Sequence, residues 1–285
     1  MTDHKFRHRT STLAGSRGET LFTQSWHPEA PSRGNLLVIP GLGDHSGRFG
    51  NLVEEMVPLG YSVFSWDHTG HGRSEGTPGH IRSFAELLDP AAAYLKTITE
   101  QEPQVPVYIF GHSMGGLLAV RLCQERQPDP AGVILSNPSF SVPEGVSPLT
   151  VTLGHLLSRL LPRMPLSRLD PEMLSRDPEV TADYREDPLV YTGSYSARMG
   201  MTLLDEIDRA FQQAERFDAP LLTLIGEQDR ISFPEDSRHF HEQAGSREKT
   251  LITYPKDRHE LINEPDHPAV LGDIAAWMDE RMPAA

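Results

Sequence analysis

The sequence predicts an α/β fold in which a mainly parallel central sheet is flanked by helices and carries an inserted helical cap. Two observations predict the sheet: short apolar runs alternate with segments of helical periodicity, and several of these runs are apolar without interruption. Continuous apolar runs are typical of parallel strands that are buried on both faces. A third observation predicts the cap, because the alternation stops near residue 139 and resumes after residue 205.

Each element has its own pattern along the chain. After a mobile start, residues 19–26 alternate as an edge strand does, and the apolar run at 36–39 indicates a buried strand. The patterns then predict a helix over 49–59, a strand at 62–67, a helix over 83–98, a strand at 105–110, a helix through 117–122 and a strand at 132–138. After the interruption follow a strand at 221–226, a helix around 234–244, a strand at 250–255 and a final helix through 270–278.

This organisation gives one core interrupted by a cap, with boundaries at 1–138, 139–205 and 206–285. The cap segment is rich in Pro, Leu, Met, Ser and Arg, and it contains helical pieces but no convincing strand. Within 146–165 the apolar side chains recur close to helical spacing, at Leu149, Val151, Leu153, Leu156, Leu157, Leu160 and Leu161.

Between the strand at 105–110 and the following helix lies the sequence GHSMGG, which contains Ser113. A sharp turn from strand to helix strains the backbone, so small residues must flank the one that bears the side chain, as Gly111 and Gly115 do here. This pattern is the G-x-S-x-G nucleophile elbow, which lifts a serine hydroxyl above the edge of a sheet. Ser113 is therefore the predicted nucleophile.

A serine hydroxyl needs a base to take its proton and a third group to orient that base. Asp229 and His259 each follow a predicted strand, so both lie at the same sheet edge as Ser113, in the chain order typical of α/β-hydrolases. Glu227 is an alternative acid because it lies closer to its strand, whereas Asp257 is too near the histidine in sequence to face its ring easily.

The tetrahedral intermediate of acyl transfer needs amide donors where its oxygen develops charge. Met114 follows the nucleophile and offers one amide. The second should come from the glycine-rich loop after the strand at 36–39, where Leu42 stands between two glycines. We expect structural roles for three histidines. His112 lies within the elbow, and His68 and His71 belong to a second glycine-rich loop that should brace the nucleophile turn.

Composition excludes several other functions. The formal charge of −14 and pI near 5.3 argue against a nucleic-acid partner, which requires clustered Lys and Arg. The one cysteine, Cys123, rules out an internal disulfide, and His239 and His241 lack metal-ligand spacing, so we expect neither a metal nor another cofactor. With no signal peptide and no long apolar segment, we expect a cytoplasmic protein; no pattern predicts an oligomeric state.

Several motifs together resemble one family. The segment PGLGDHSGRF is similar to an HG-x-G-[ED]-H-x-x-R-[YF] loop, and DHTGHGRSEG is similar to a D-x-x-GHG-x-S-x-G segment. LSRDPEV, with DPLV soon after it, is similar to a cap sequence, and GHSMGG forms the elbow. HELINEP is most similar to the bacterial members. The chain resembles the monoacylglycerol lipases of the α/β-hydrolase fold from about residue 17 onward. That resemblance implies the same nucleophile, acid, base and oxyanion amides: Ser113, Asp229, His259, Leu42 and Met114.

The resemblance also bears on the alcohol part of the substrate. Asp44, Arg48 and Tyr184 match polar positions of the family and are the candidates for binding the alcohol. Pro40 stands where most members have histidine, although the Leu42 amide is retained, and Ile262 stands where the mammalian enzyme has a second histidine near the glycerol site.

The resulting hypothesis is hydrolysis of a lipid carboxylic ester, most specifically monoacylglycerol, through an acyl-enzyme. Lysophospholipase and general carboxylesterase activity are the alternatives, with a peptidase or a non-catalytic ligand-binding protein on the same fold less favoured. We expect the cap to line an acyl tunnel and to expose some apolar surface, because each methylene of an acyl chain that is buried contributes about 0.8 kcal/mol. We also expect weak hydrophobic contact between the cap and lipid interfaces, since the acidic net charge opposes docking on anionic lipid.

Overall fold

The chain folds around one eight-stranded sheet, seen in a computed structural model that describes residues 6–141 and 148–282. The described strands of the chain, eight of them in this sheet, are β1 Arg7–Ala14, β2 Thr20–His27, β3 Gly34–Ile39, β4 Tyr61–Trp66, β5 Val107–His112, β6 Gly132–Ser136, β7 Pro165–Ser167, β8 Tyr195–Ser196, β9 Leu221–Gly226 and β10 Lys249–Tyr254. Its α-helices are α1 Gly50–Met56, α2 Ala85–Gln101, α3 Met114–Arg126, α4 Pro148–Leu160, α5 Pro178–Glu186, α6 Ala197–Gln212, α7 Pro234–Gln243 and α8 His267–Asp279.

The strand order in the large sheet is β1-β2-β4-β3-β5-β6-β9-β10. Within this sheet, β2 pairs antiparallel with β1 and with β4. The remaining pairs of this sheet are parallel. Parallel strands end at one edge of a sheet, so the loops after β3, β5, β6, β9 and β10 lie together. This arrangement confirms the predicted α/β-hydrolase architecture.

Two apolar cores lie on opposite faces of the sheet. Helices α2 and α3 pack on one face together with part of α6, and helices α1 and α8 pack on the other. Strands β3, β4, β5, β6 and β9 are buried at every position, because helices cover both of their sides. The continuous apolar runs of the sequence are these central strands.

The amino-terminal prediction was wrong. Eight residues of the expected mobile start form β1, which pairs with β2 along its whole length. Seven of the eight side chains in RHRTSTLA are exposed, so an edge strand held by backbone hydrogen bonds left no apolar pattern to detect.

The cap departs from its prediction in two respects. It contains two short strands, β7 and β8, which form a separate antiparallel pair. Helix α6 runs through the predicted boundary at residue 205 and joins the cap to the core without a break. Residues 142–147 and the side chains of 148–150, including Leu149, lie outside the part that the structure describes. Among the described helices, none is long and apolar enough to cross a membrane.

One glycine fixes the distance between the elbow helix and the neighbouring strand. A Cβ atom on Gly115 would lie 2.0 Å from the carbonyl oxygen of Ile39 and 2.7 Å from that of Pro40. Both obstacles are backbone atoms, so no side-chain rotation could relieve the clash. The start of α3 therefore packs directly against the end of β3.

This contact predicts that Gly115→Ala destabilises the protein by at least about 1–3 kcal/mol, measured by urea unfolding. Gly272→Ala is the matched control, since that glycine lies on an exposed part of α8 and a Cβ added there would meet no atom within 4 Å. The control should gain roughly 0.5–1 kcal/mol because alanine favours helix. Equal stability of the two variants would contradict the close packing.

Candidate active site

The nucleophile turn joins β5 to α3 at Ser113. This serine has φ 54° and ψ −121°, a conformation that L-residues rarely adopt. Like Gly115, Gly111 leaves no room for a side chain, because a Cβ atom there would lie 2.5 Å from the carbonyl oxygen of Gly115. The strained serine is thus held between two glycines, with the first amides of α3 directly after it.

Asp229 and His259 form a buried pair at the same edge of the sheet. His259 Nδ1 lies 2.8 Å from Asp229 Oδ2, and both side chains are almost fully buried. The other carboxylate oxygen accepts hydrogen bonds from the amides of Ile231 and Ser232 at 2.8 and 3.1 Å. Because Nδ1 donates its hydrogen to the carboxylate, Nε2 is left with a lone pair that can accept a proton.

The two alternative acids are engaged elsewhere. Glu227 pairs with Arg238 on α7, and Asp257 lies 3.0 Å from Arg176 of the cap. Neither carboxylate contacts the ring of His259. The structure therefore brings the predicted acid Asp229 into contact with His259, whereas Glu227 and Asp257 pair with arginines.

His112 packs against the ring of His259. The ring centroids of His112 and His259 are 4.7 Å apart. His112 Nδ1 lies 3.2 Å from the Ser136 carbonyl oxygen, which can only accept, so this nitrogen carries a hydrogen. Burial lowers the pKa of His112 to about 3, and the adjacent His259 acts in the same direction, so His112 is neutral at pH 7.

The loop after β3 places Leu42, the predicted second amide donor, at the cavity. Leu42 and Met114 both line the small cavity above Ser113. His68 Nε2 donates to the carbonyl oxygen of Pro40 at 3.0 Å, and burial lowers the pKa of this histidine to about 3. The histidine loop therefore braces the segment that bears Leu42 rather than the nucleophile turn.

The cavity above Ser113 has a volume of about 80 Å³ and contains Ser113, His259, Leu42 and Met114 in its walls. Its apolar wall is contributed by Leu169, Leu174, Leu203 and Ile231. No described side chain of α4 lines this cavity, and Leu153, Leu156 and Leu160 are instead 53%, 52% and 69% exposed. The cap therefore contributes to this cavity through Leu169, Leu174 and Leu203 and not through α4. That the cap lines an acyl tunnel stays a prediction.

Comparison with known proteins identifies the family. Residues 30–266 match the family described as serine aminopeptidase, S33. The chain is 32% identical to a monoacylglycerol lipase of Mycolicibacterium smegmatis, over 94% of this chain and 95% of that protein. It is also 32% identical to the monoglyceride lipase of Mus musculus, over 96% of this chain and 91% of that protein. The chain belongs to the monoacylglycerol lipase family.

Solved structures agree with this assignment. A monoacylglycerol lipase of Paleococcus ferrophilus has 33% identity and a TM-score of 0.81, covering 92% of this chain and 99% of that one. A soluble variant of the monoglyceride lipase of Saccharomyces cerevisiae has 21% identity and a TM-score of 0.88, covering 100% and 98%, and it supports the fold.

In this member of the monoacylglycerol lipase family, the three residues predicted for the alcohol side lie together. Arg48 Nε is 3.0 Å from Asp44 Oδ1, and the Arg48 guanidinium lies 4.7 Å from the centre of the Tyr184 ring. Burial raises the pKa of Asp44 to about 6, although Arg48 opposes the shift. Asp44 and Tyr184 line the cavity, so these side chains can reach a substrate bound there.

Glu260 completes this cluster and was not predicted from the sequence. Its carboxylate accepts two hydrogen bonds from Arg48 Nη2, at 2.7 and 2.6 Å, and it also lines the cavity. Burial opposes its ionisation, but Arg48, His112 and Asn263 together outweigh burial and hold the pKa of Glu260 below its ordinary value. Its position next to His259 in the sequence was the available signal. Ile262, by contrast, is buried in the core beneath α8 and does not line the cavity.

Asn137 is a second residue that sequence reasoning missed, and it holds three strand ends together. Its Nδ2 donates to the carbonyl oxygens of Arg258 and His259, both at 2.8 Å, and its Oδ1 accepts from the amide of Gly226 at 2.9 Å. Its φ of 41° places it in the left-handed region, which asparagine tolerates better than most residues. The loop that bears His259 is thereby fixed to the ends of β6 and β9.

The cap also holds the loop that bears His259, through Arg176. Arg176 Nε lies 3.1 Å from Glu264 Oε2, and its Nη2 lies 3.0 Å from Asp257 Oδ1. Glu264 is fully buried and accepts the amide of Arg258 at 2.9 Å, next to His259. The Arg176 guanidinium therefore balances the negative charge of Asp257 and Glu264, which lie on either side of His259 in the sequence.

We expect Arg176→Ala to lower the free energy of unfolding by roughly 1–3 kcal/mol, because it leaves the buried Glu264 carboxylate without its cation. Catalytic turnover should fall as well, since the loop of His259 loses its cap anchor. Arg185→Ala is the matched control, because that cap arginine pairs with Glu172 where both side chains are more than half exposed. Its effect should stay within about 0.5 kcal/mol. Indistinguishable unfolding curves would exclude the anchoring role.

Proposed function

We propose that this carboxylic ester hydrolase cleaves monoacylglycerol to fatty acid and glycerol through an acyl-enzyme on Ser113. The observation that carries the proposal is the Asp229–His259 pair, whose histidine lines one cavity with the elbow serine and the two amide-bearing residues. Identity of 32% to monoacylglycerol lipases over nearly their full length supports this substrate.

In the proposed mechanism, Ser113 Oγ bonds to the ester carbonyl carbon while its proton moves to His259 Nε2. Asp229 stabilises the imidazolium and keeps its ring in place. The amides of Leu42 and Met114 stabilise the negative oxygen of the tetrahedral intermediate. His259 then protonates the departing glycerol oxygen, and a water molecule activated by the same base releases the fatty acid.

The charge on the alcohol side favours a neutral head group. Two carboxylates, Asp44 and Glu260, face one guanidinium, so the cluster is negative, or neutral when Asp44 is protonated. Arg48 is already bound to both oxygens of Glu260 and offers little to a phosphate. The buried Tyr184 hydroxyl has no hydrogen-bond partner among the described residues, and it can bond a glycerol hydroxyl. These features favour glycerol esters over lysophospholipids.

The acyl chain requires more room than the cavity supplies. A volume of about 80 Å³ is well below the roughly 300–1,000 Å³ of typical ligand pockets. We infer that the cap shifts to admit the chain, which then lies along the apolar wall formed by Leu169, Leu174 and Leu203. Gated access of this kind is common in enzymes whose lids exclude water.

We further propose that α4 makes weak contact with lipid interfaces. Leu156, Leu160 and Leu161 expose 52%, 69% and 55% of their surfaces. The segment 148–169 contains three arginines and no acidic residue, although Asp205 and Asp208 of α6 lie beside α4 and the whole protein has a formal charge of −14. The acidic net charge therefore opposes docking less than the sequence suggested, because it is not spread evenly.

The proposed reaction predicts a clear order of substrates. Monoacylglycerols of medium and long chains should be hydrolysed faster than lysophospholipids of the same chain, because the carboxylates disfavour phosphate. Ser113→Ala should reduce turnover by roughly 10⁶-fold, the scale seen when a catalytic serine is removed. The rate of fatty acid release measures both the substrate order and the turnover of the Ser113 variant. A preference for lysophospholipids or acetate esters would defeat the substrate assignment, and full activity of the Ser113 variant would defeat the mechanism.

The proposed interface predicts that replacing both Leu156 and Leu160 by Ser lowers partitioning onto phospholipid vesicles at least roughly tenfold, because each exposed leucine contributes on the order of 1.5 kcal/mol when buried. Leu251→Ser is the control, since that leucine is 38% exposed on β10. Cosedimentation measures binding, which should strengthen with anionic lipid and weaken with salt. Unchanged binding of the double variant would remove α4 from the interface.

A further inference from the structure

A second hydroxyl lies against the nucleophile. Ser139 Oγ is 3.1 Å from Ser113 Oγ, and both residues line the catalytic cavity. The amide of Ser139 also donates to the carbonyl oxygen of Ser113 at 2.9 Å, so the backbone of the nucleophile holds this residue in place. No motif of the sequence pointed to Ser139, which enters the site from the loop after β6.

The position of Ser139 distinguishes it from the oxyanion donors. Leu42 follows β3 on one side of β5, whereas Ser139 follows β6 on the other side. Strands β9 and β10, which lead to Asp229 and His259, lie on the side of Ser139. This hydroxyl therefore faces the nucleophilic oxygen from the side of the acid and base, away from the loop that supplies the second amide.

The available acceptors decide which serine donates. Among the described residues, the hydrogen bond of Ser113 Oγ is to Ser139, with none to His259 within 3.5 Å, and Ser139 Oγ bonds only to Ser113. The Ser113 hydrogen has a base available, because the Nε2 lone pair of His259 belongs to the same cavity. The Ser139 hydrogen has no other acceptor among the described residues. If His259 takes the Ser113 hydrogen in the reaction, Ser139 is left as the donor to Ser113 Oγ.

We propose that Ser139 is a catalytic residue that donates its hydroxyl hydrogen to Ser113 Oγ. When the Ser113 proton moves to His259 Nε2 and Oγ bonds to the carbonyl carbon, the hydrogen of Ser139 stabilises the negative charge developing on Oγ and stays on Ser139 throughout. When the acyl-enzyme breaks down, the bond between Oγ and the carbonyl carbon cleaves, and the same donor stabilises the departing alkoxide until His259 returns its proton. The proposal rests on the proposed nucleophilic role of Ser113.

The test compares Ser139→Ala, Ser139→Thr and Ser141→Ala with the unmodified enzyme. Ser141 lies two residues along the same loop and accepts the amide of Phe233 at 2.7 Å, so its removal controls for disturbance of the loop. The substrate is p-nitrophenyl butyrate, which needs no glycerol recognition. The readouts are the burst rate constant of acylation, the steady-state rate of deacylation, KM, and the rate constant of inactivation by a fluorophosphonate, with thermal unfolding to confirm folding.

Ser139→Ala should slow acylation, deacylation and fluorophosphonate inactivation by roughly 10- to 100-fold at unchanged affinity, because hydrogen bonds to charged groups are the strong ones. Ser139→Thr, which keeps the hydroxyl, should restore most of each rate, and Ser141→Ala should react normally. Rates within twofold of the unmodified enzyme in Ser139→Ala, a faster rate, or a loss that threonine does not restore would each overturn the proposal.

A parallel Ser113→Ala arm separates this proposal from the proposed function. If Ser113→Ala keeps its activity, the nucleophile assignment fails and the role of Ser139 fails with it. If Ser113→Ala is inactive and Ser139→Ala is unimpaired, only the role of Ser139 fails. Poor hydrolysis of monoacylglycerol alongside the expected losses on p-nitrophenyl butyrate would defeat the substrate assignment and leave the role of Ser139 intact.

Discussion

The site depends on the direct contact between the beginning of α3 and the end of β3. Gly115 allows the backbone of the elbow helix to rest on the carbonyl groups of Ile39 and Pro40. The two segments that carry the proposed oxyanion amides are thereby joined through main-chain atoms. Main-chain atoms have no rotamers, so this junction is rigid. It holds the strained backbone of Ser113 in a fixed position relative to the loop after β3.

The core and the central chemistry could be predicted from the sequence because both depend on local patterns. Buried parallel strands leave continuous apolar runs, and strand ends place Ser113, Asp229 and His259 at one edge of the sheet. The roles of these three residues stay predictions, although the structure brings the acid and base into contact. Strand β1 could not be predicted in this way, because its side chains face solvent and its partner is held only by backbone groups.

The supporting residues could not be predicted because their roles depend on contacts between distant parts of the chain. Asn137 matters through the ends of β6 and β9, and Glu260 matters through an arginine 212 positions away. Ser139 had been placed at the first position of the predicted cap, where nothing distinguished it from the other serines of that segment. The apolar stripe of α4 was detected correctly, but periodicity cannot tell whether such a face turns toward a substrate or toward solvent.

The pairing of Arg176 with Glu264 and Asp257 limits how far the cap can be treated as an exchangeable module. The cap contributes Leu169, Leu174 and Leu203 to the cavity wall, whereas Ser113 and His259 belong to the core. Here the guanidinium belongs to the cap and both carboxylates belong to the core. A donor cap without a cation at this position would leave buried negative charge beside the base, so successful chimaeras must transfer the ionic partners together.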